Sequence, residues 1–252
     1  MTSRTPELVW TPDQVQRFWD HESHFPERFF TAKRGREIVR LLRRYVPPGQ
    51  TVLDFGCGAG ALSEALLKSG YRVIAADASK QAVSQVRARL GGQAGFVGAF
   101  EIDELQSRAF NVDAILIVEV IEHLYDDWLE EMLGLLKRLA QADTSLMFTT
   151  PNEENLQDAQ ILCPCCNQTF HRWQHVRSWT ADSLVSYLSA RDFEVTAAFA
   201  TDFGASLRNP GSLLASIRKR FRYWRDPSRK PPHLVVFANH NQPASSSGAG
   251  VV

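Results

Sequence analysis

Residues 51–60, T-V-L-D-F-G-C-G-A-G, constrain the fold of this chain more than any other feature of its sequence. A short β-prone apolar run leads into a glycine-rich turn, and the apolar spacing of a helix follows immediately. Gly56, Gly58 and Gly60 let the backbone turn tightly and approach a ligand, because glycine has no Cβ. The stretch predicts the first strand, loop and helix of a nucleotide-binding α/β domain.

Two kinds of ligand compete for such a loop. Gly56, Gly58 and Ala61 also satisfy the dinucleotide pattern G-x-G-x-x-G/A, so the glycines alone do not choose between a nicotinamide cofactor and S-adenosylmethionine. The carboxylate of Asp54 favours S-adenosylmethionine, which carries an ammonium and a sulfonium group, whereas a pyrophosphate would place like charges beside this acid. A second acid, Asp77, ends the next predicted strand, where it can accept hydrogen bonds from both ribose hydroxyls.

These residues resemble the first two motifs of the class I S-adenosylmethionine-dependent methyltransferases, and the resemblance extends over residues 52–239. It implies an α/β, Rossmann-like fold whose seven-stranded sheet is mostly parallel, with helices on both faces and an antiparallel last strand. It also implies a set of residues that bind the methyl donor: Asp54, Gly56, Cys57, Gly58, Gly60, Asp77, Ala99, Phe100 and Glu119. In many members an acidic or polar residue near the adenine occupies the place of Ala99.

The rest of the chain alternates between strand and helix patterns, which predicts a right-handed parallel arrangement. Predicted strands cover 71–76, 94–97, 112–118, 145–149, 193–200 and 234–239, and predicted helices cover 61–69, 79–90, 126–140 and 180–190. Residues 1–48 are predicted to form a helical cap, with an aromatic-rich helix over 12–45 that either covers the cofactor or packs on the sheet edge. Residues 49–241 form the predicted methyltransferase domain, and 242–252 a disordered tail.

Glu119, Glu122 and His123 follow the apolar run 112–118, at the carboxyl end of a predicted central strand where open α/β sheets bind ligands. Two carboxylates and an imidazole within five residues can bind Mg²⁺ or Mn²⁺, which would polarise an acceptor hydroxyl. His123 can instead act alone as a general base, or the three residues can form a plain hydrogen-bond network.

The stretch E-V-I-E-H-L is similar to a motif of two methyltransferase groups, the ubiquinone-pathway O-methyltransferases and the small-RNA 3′-terminal 2′-O-methyltransferases. In the RNA enzymes two glutamates, the adjacent histidine and a later histidine hold a metal ion. The resemblance therefore implies that Glu119, Glu122, His123 and His175 are the catalytic residues, with His175 matching the later histidine.

The acceptor is predicted from charge as well as from the motif. Lys plus Arg equals Asp plus Glu at 28 each, and no added RNA-binding domain is recognisable, which disfavours a long polyanionic acceptor. We therefore expect O-methylation of a small molecule, such as a phenol, a quinone precursor, a sugar or a lipid-linked acceptor. The alternatives are RNA 3′-terminal 2′-O-methylation and a non-catalytic donor-binding or zinc-stabilised interaction protein.

A second candidate metal site lies in the predicted insertion 156–179. Cys163 and Cys166 have zinc-knuckle spacing, and His171 and His175 can complete a Cys2His2 set. Because His175 cannot serve two metals, zinc either takes all four residues or takes the first three with an unknown fourth ligand. A cysteine cluster in a substrate loop is the alternative. The pattern C-P-x-C followed by F-H-R-W-Q-H is similar to that of bacterial methyltransferases whose substrates are mostly unassigned.

A third feature is the basic segment 208–231. Within it, residues 213–230 have an apolar helical face surrounded by arginine and lysine, which predicts an amphipathic helix able to contact an anionic membrane or a phosphorylated substrate. Core packing with a solvated basic face is the alternative. The start lacks the apolar core of a signal peptide, and no apolar run is long enough to span a bilayer. We expect a cytoplasmic protein, or one peripheral to the inner face of the membrane.

Overall fold

In the computed structural model of this protein, the residues described are 6–203, 225–226 and 230–240. They contain β1 (Thr51–Phe55), β2 (Arg72–Asp77), β3 (Phe96–Glu101), β4 (Ala114–Val118), β5 (Ser145–Pro151), β6 (Gln160–Leu162), β7 (Thr169–His171), β8 (Phe193–Thr201) and β9 (His233–His240). Seven of these strands form one sheet in the order β3-β2-β1-β4-β5-β9-β8. β9 runs antiparallel to β5 and β8, and the other pairs are parallel, which confirms the predicted sheet.

The helices pack on both faces of this sheet. They are α1 (Pro12–Glu22), α2 (Phe30–Leu42), α3 (Ala61–Leu67), α4 (Lys80–Leu90), α5 (Ile102–Leu105), α6 (Asp126–Leu139) and α7 (Ala181–Ser189), with short 3-10 turns at Pro26–Arg28 and Leu156–Ala159. On β4, Ile115 and Ile117 join a core with α6 and α7, whereas Leu116 and Val118 join a core with α2, α3 and α4. Alternate residues of β4 therefore face opposite cores, which is why the strand is apolar throughout.

The predicted helix over 12–45 is broken into two. α1 begins at a capping box in which Thr11 and Gln14 hydrogen-bond each other's backbone, with Pro12 in the first turn. α1 ends at Glu22, and α2 begins after the 3-10 turn that Pro26 opens. Proline has no N–H and disfavours helical backbone at the preceding residue, so it separates the two helices.

Three other predicted boundaries differ from the structure. β3 begins and ends later than the predicted 94–97, so Ala99 and Phe100 lie inside the strand. β5 continues through Pro151, and the insertion 156–179 contains the antiparallel hairpin of β6 and β7. The predicted tail 242–252 and almost all of the basic segment 208–231 lie outside the described residues. Within the described residues, no helix has the length and apolar character needed to cross a membrane.

Candidate active site

The glycine loop between β1 and α3 adopts a backbone that favours glycine at three positions. Gly56, Gly58 and Gly60 have φ angles of 73°, 49° and 75°. A Cβ added to Gly56 would lie 2.5 Å from Cγ2 of Val120, and one added to Gly58 would lie 2.9 Å from Cε1 of Phe29. The loop therefore needs these glycines for its left-handed turns, and it needs Gly56 also for the close contact with Val120 after β4.

Asp77, at the end of β2, holds this loop in place. Its Oδ2 accepts a hydrogen bond from the N–H of Gly58 at 2.7 Å, and its Oδ1 accepts one from the N–H of Ser79 at 2.9 Å. Burial raises the pKa of Asp77, although these backbone hydrogen bonds oppose the shift. Sequence reasoning assigned Asp77 only to the ribose, so its support of the loop is an additional role. Cys57 is buried in the same loop, and burial raises the pKa of its thiol.

Asp54, inside β1, is an almost completely buried acid. Asp54 is 2% exposed, and its Oδ2 accepts a hydrogen bond from Ser63 Oγ at 2.6 Å. Burial raises the pKa of Asp54 to about 7; the nearby charge of Asp77 adds to the shift and the Ser63 hydrogen bond opposes it. A ligand carrying positive charge would favour the ionised form of this acid.

Glu122, His123 and His175 form a polar group beyond the carboxyl end of β4, in which Glu122 is buried and the side chains of His123 and His175 are 13% and 10% exposed. Their ligand-type atoms all lie within 4.8 Å of one another. The insertion is docked here by its backbone, because the N–H of Val176 donates to the carbonyl of Glu122 at 2.8 Å, and Gln174 Nε2 donates to the carbonyl of His123 at 2.9 Å. His175, which lies between these two anchors, is thereby brought to the group.

Two atoms of this group are buried without a hydrogen-bond partner among the described residues, Oε1 of Glu122 and Nδ1 of His123. Oε1 of Glu122 lies 3.8 Å from Nε2 of His123, and Oε2 accepts a hydrogen bond from Thr150 Oγ1 at 3.1 Å. Burial raises the pKa of Glu122 well above its usual value, and the charge of Glu119 adds to this. Burial lowers the pKa of His123 to about 3, and the electrostatic effect of His175 adds to this shift. Without a bound cation, the low pKa of His123 keeps its imidazole neutral near pH 7.

Glu119 does not join this group, contrary to the predicted Glu119, Glu122 and His123 set. It has a left-handed backbone with a φ of 53°, and its Oε1 accepts a hydrogen bond from Thr149 Oγ1 at 2.9 Å. Its Oε2 lies 3.6 Å from Nδ1 of His233. The carboxylate is therefore engaged by β5 and β9, and the structure brings together three of the four residues implied by the resemblance.

The predicted Cys2His2 zinc site is not assembled. Cys163 and Cys166 lie in the turn at the tip of the β6–β7 hairpin, whereas His171 ends β7 and pairs with Gln160 at its base. With a rise of about 3.3 Å per strand residue, His171 lies roughly 10 Å along the hairpin from that turn. In the described ranges, two groups of potential ligands have atoms within 4.8 Å of one another. His175 belongs to both groups and His171 to one of them, and neither group contains a cysteine.

Residues 29–198 match a family model described as "Methyltransferase domain", which is more than half of the sequence. The chain belongs to the class I S-adenosylmethionine-dependent methyltransferases. Its donor is therefore S-adenosylmethionine, as the acid before the glycine loop predicted.

Relatives and solved structures agree with this family. The ubiquinone biosynthesis O-methyltransferase of Hahella chejuensis is 30% identical over 149 residues, which cover 56% of this chain and 58% of that protein. The chain thus spans little more than half the length of this relative. Among solved structures, one similar to this chain is Burkholderia thailandensis 1,6-didemethyltoxoflavin-N1-methyltransferase with bound S-adenosylhomocysteine. Its TM-score is 0.65 at 16% identity, and the match covers 93% of this chain and 92% of that chain. A SAM-dependent methyltransferase from Archaeoglobus fulgidus has a TM-score of 0.54 at 21% identity, covering 83% of this chain and 97% of its own.

Sequence reasoning missed two residues of this methyltransferase that border the polar group. Trp19 of α1 packs on His123 with ring centroids 4.7 Å apart, and its Nε1 donates to Gln174 Oε1 at 3.1 Å. Glu154 lies beside His175. Glu154 follows β5, the neighbour of β4, so its position near a strand's carboxyl end was a usable signal. The only signal for Trp19 was the aromatic content of its helix.

The raised pKa of Asp54 predicts how the donor-free methyltransferase responds to pH. Folded Asp54, with a pKa of about 7, keeps its proton up to about pH 7, whereas in the unfolded chain it loses the proton near the ordinary aspartate pKa of about 3.9. The folded state binds more protons in this window, so stability falls as pH rises from about 4 to about 7, by roughly 4 kcal/mol at most. Asp54→Asn is expected to remove this loss. Calorimetric melting at pH 5 and pH 8 checks it, and an equal change in Tm for variant and wild type would contradict it.

Proposed function

We propose that this methyltransferase transfers the methyl group of S-adenosylmethionine to a hydroxyl oxygen of a small molecule. The observation that carries the proposal is the polar group of Glu122, His123 and His175, with its unpartnered polar atoms. Val120 contacts Gly56 of the donor loop, and Glu122 follows Val120 by two residues. The polar group is therefore linked to the donor loop by a short stretch of chain. The name of the Hahella relative, an O-methyltransferase, supports an oxygen acceptor.

The chemistry requires a hydroxyl to attack the methyl carbon in line and to lose its proton. A neutral imidazole can accept that proton or orient the hydroxyl, and two imidazoles of this group lie with ring centroids 4.8 Å apart. Because His123 has a pKa of about 3, its imidazole is a weak base. Trp19 covers His123 and helps to exclude water from the group.

A divalent ion fits the same residues. One carboxylate and two imidazoles are a common ligand set for Zn²⁺ or Mn²⁺, and a cation would satisfy the buried unpartnered atoms of Glu122 and His123. Glu122, His123 and His175 would hold the ion. When bound, such an ion supplies Lewis acidity that lowers the pKa of an acceptor hydroxyl. The predominance of imidazole disfavours Mg²⁺, which prefers oxygen ligands.

We expect metal content to follow Glu122 and not Cys163. Glu122→Gln removes an anionic ligand, so the purified variant is expected to lose most of its bound metal, whereas Cys163→Ser, at the tip of the hairpin, is expected to keep it. Elemental mass spectrometry on protein purified without a histidine tag measures this. Metal that is lost with Cys163 but retained in Glu122→Gln would place the ion at the cysteines instead.

The acceptor proposal is tested with the wild-type protein and labelled S-adenosylmethionine. The panel contains catechols, phenols, sugars and quinone precursors, amines of matched shape, and small RNA, at low and high salt. Methyl transfer to a hydroxyl but not to the matched amine supports the proposal. Transfer to RNA alone, with a steep loss at high salt, would support the 2′-O-methylation alternative, for which the group of Glu122, His123 and His175 provides three of the four implied residues.

A further inference from the structure

His175 belongs to two groups of polar side chains. Besides its contacts with Glu122 and His123, it forms a second group with Glu154 and His171. Its Nδ1 lies 2.5 Å from Oε2 of Glu154, and its ring stacks on that of His171 with centroids 4.4 Å apart and planes inclined by 20°. The function proposed above uses the first group and leaves Glu154 and His171 without a role.

The proton position on His171 follows from its backbone contacts. Nδ1 of His171 faces the N–H groups of Trp173 and His175 at 3.3 Å and 3.1 Å, and it must accept from both. The ring proton of neutral His171 is therefore on Nε2, which lies 3.5 Å from Oε1 of Glu154. His171 is 2% exposed, and its Nε2 has no hydrogen-bonding partner within standard distance among the described residues.

Glu154 places one carboxylate oxygen beside each of these histidines, Oε2 beside Nδ1 of His175 and Oε1 beside Nε2 of His171. A carboxylate has no proton to donate, so the short contact with His175 requires the proton to be on Nδ1 of that ring. In neutral His175 the other nitrogen, Nε2, is then unprotonated.

We propose that Glu154, supported by His171, is a positioning residue that keeps the ring proton of His175 on Nδ1 and leaves Nε2 available to the Glu122 and His123 group. This inference rests on the proposed function, because that nitrogen would take the hydroxyl proton or bind the ion. The arrangement is the general one in which a carboxylate fixes the tautomer and orientation of a working histidine.

Direct metal binding by Glu154, His171 and His175 is the competing explanation. In that case Nδ1 of His175 would carry a metal ion in place of a proton. An ion at each group would then require both nitrogens of one imidazole at once, which a neutral ring cannot supply. The nitrogen of His175 that binds the ion in Zn²⁺-loaded protein, Nε2 in the proposal and Nδ1 in the competing explanation, therefore separates the two.

The test is ¹⁵N nuclear magnetic resonance of the full chain, labelled at histidine nitrogens and freed of metal. His175→Gln identifies the His175 signals by their loss. We expect wild-type His175 to carry its proton on Nδ1, and we expect Glu154→Gln to convert it to a mixture of tautomers. Glu153→Gln is the matched control, because Glu153 pairs with Lys230 at the surface. A proton on Nε2 in the wild type would overturn the proposal without any variant.

A second readout connects the tautomer to the site. Loss of a carboxylate that orients a metal-binding histidine weakens metal affinity by about 10–100-fold, so Glu154→Gln is expected to bind Zn²⁺ more weakly by that factor. Affinity for S-adenosylmethionine should stay unchanged in the same variant. Unchanged Zn²⁺ affinity after a shift of the tautomer would overturn the positioning role. Failure to find any hydroxyl acceptor would contradict the proposed function, while the tautomer measurement would still decide this inference.

Discussion

Replacement of His123 by alanine is expected to lower kcat for methyl transfer by about 10²–10⁴-fold, the usual contribution of a group that transfers or orients a proton. His123 lies beside Glu122 and His175, so its removal takes away one wall of the polar group and one candidate ion ligand. The donor loop, whose Gly58 is held by Asp77, keeps its own contacts in this variant. Affinity for S-adenosylmethionine should therefore stay close to that of the wild type.

The measurement combines turnover with the best acceptor of the panel and donor binding by calorimetry. His24→Ala is the matched control, because His24 is an exposed histidine at the end of α1 that hydrogen-bonds Gln81. It should keep wild-type turnover. Retention of most activity in His123→Ala would limit His123 to packing against Trp19. A parallel loss of donor binding would mean that the substitution disturbed the fold.

Replacement of Gly56 by alanine is expected to weaken donor affinity by at least about tenfold and to lower Tm by roughly 5 to 10 °C. The φ of 73° costs an alanine about 1–2 kcal/mol, and its Cβ would lie 2.5 Å from Cγ2 of Val120. Because Val120 lies two residues before Glu122, relief of this clash would displace the loop, the segment after β4, or both.

Two further variants separate the steric clash of the added Cβ from the backbone strain at Gly56. Gly92→Ala should be close to neutral, since a Cβ there meets nothing within 4 Å and its φ is not in the left-handed region. Gly56→Ala combined with Val120→Ala removes the contacted methyl groups and should recover part of the lost stability, leaving the strain of the left-handed turn. Wild-type melting and donor binding in the single variant would contradict the role given to this glycine.

The sheet and the donor side of the site could be predicted because their signals are local. The run before Gly56, the spacing of the glycines and the acids at positions 54 and 77 lie within thirty residues of one another. Strand and helix periodicities likewise repeat over a few residues, so they predict which face of each element is buried. Errors in this part concern element ends, as at Pro26, where one residue divides a predicted helix.

The acceptor side could be predicted only in part. Glu122 and His123 were identified because they follow a buried strand, but the partners of His175 depend on how the insertion docks. Spacing alone left zinc at Cys163 and Cys166 as one of two alternatives, whereas the hairpin register puts these cysteines and His171 at opposite ends of β7. Closeness in sequence did not indicate closeness in space here, because each residue of a strand adds about 3.3 Å along the strand.

The sequence by itself determined the fold class, the donor and the candidate side chains, because short-range patterns encode which residues are buried and where the backbone needs glycine. The tertiary structure decided which of those side chains meet. It joined His175 to Glu122 and His123, turned Glu119 toward Thr149, and brought Glu154 to His175. These contacts depend on loops that cross between strands, and the geometry of such crossings is set by packing of the whole domain rather than by any local pattern.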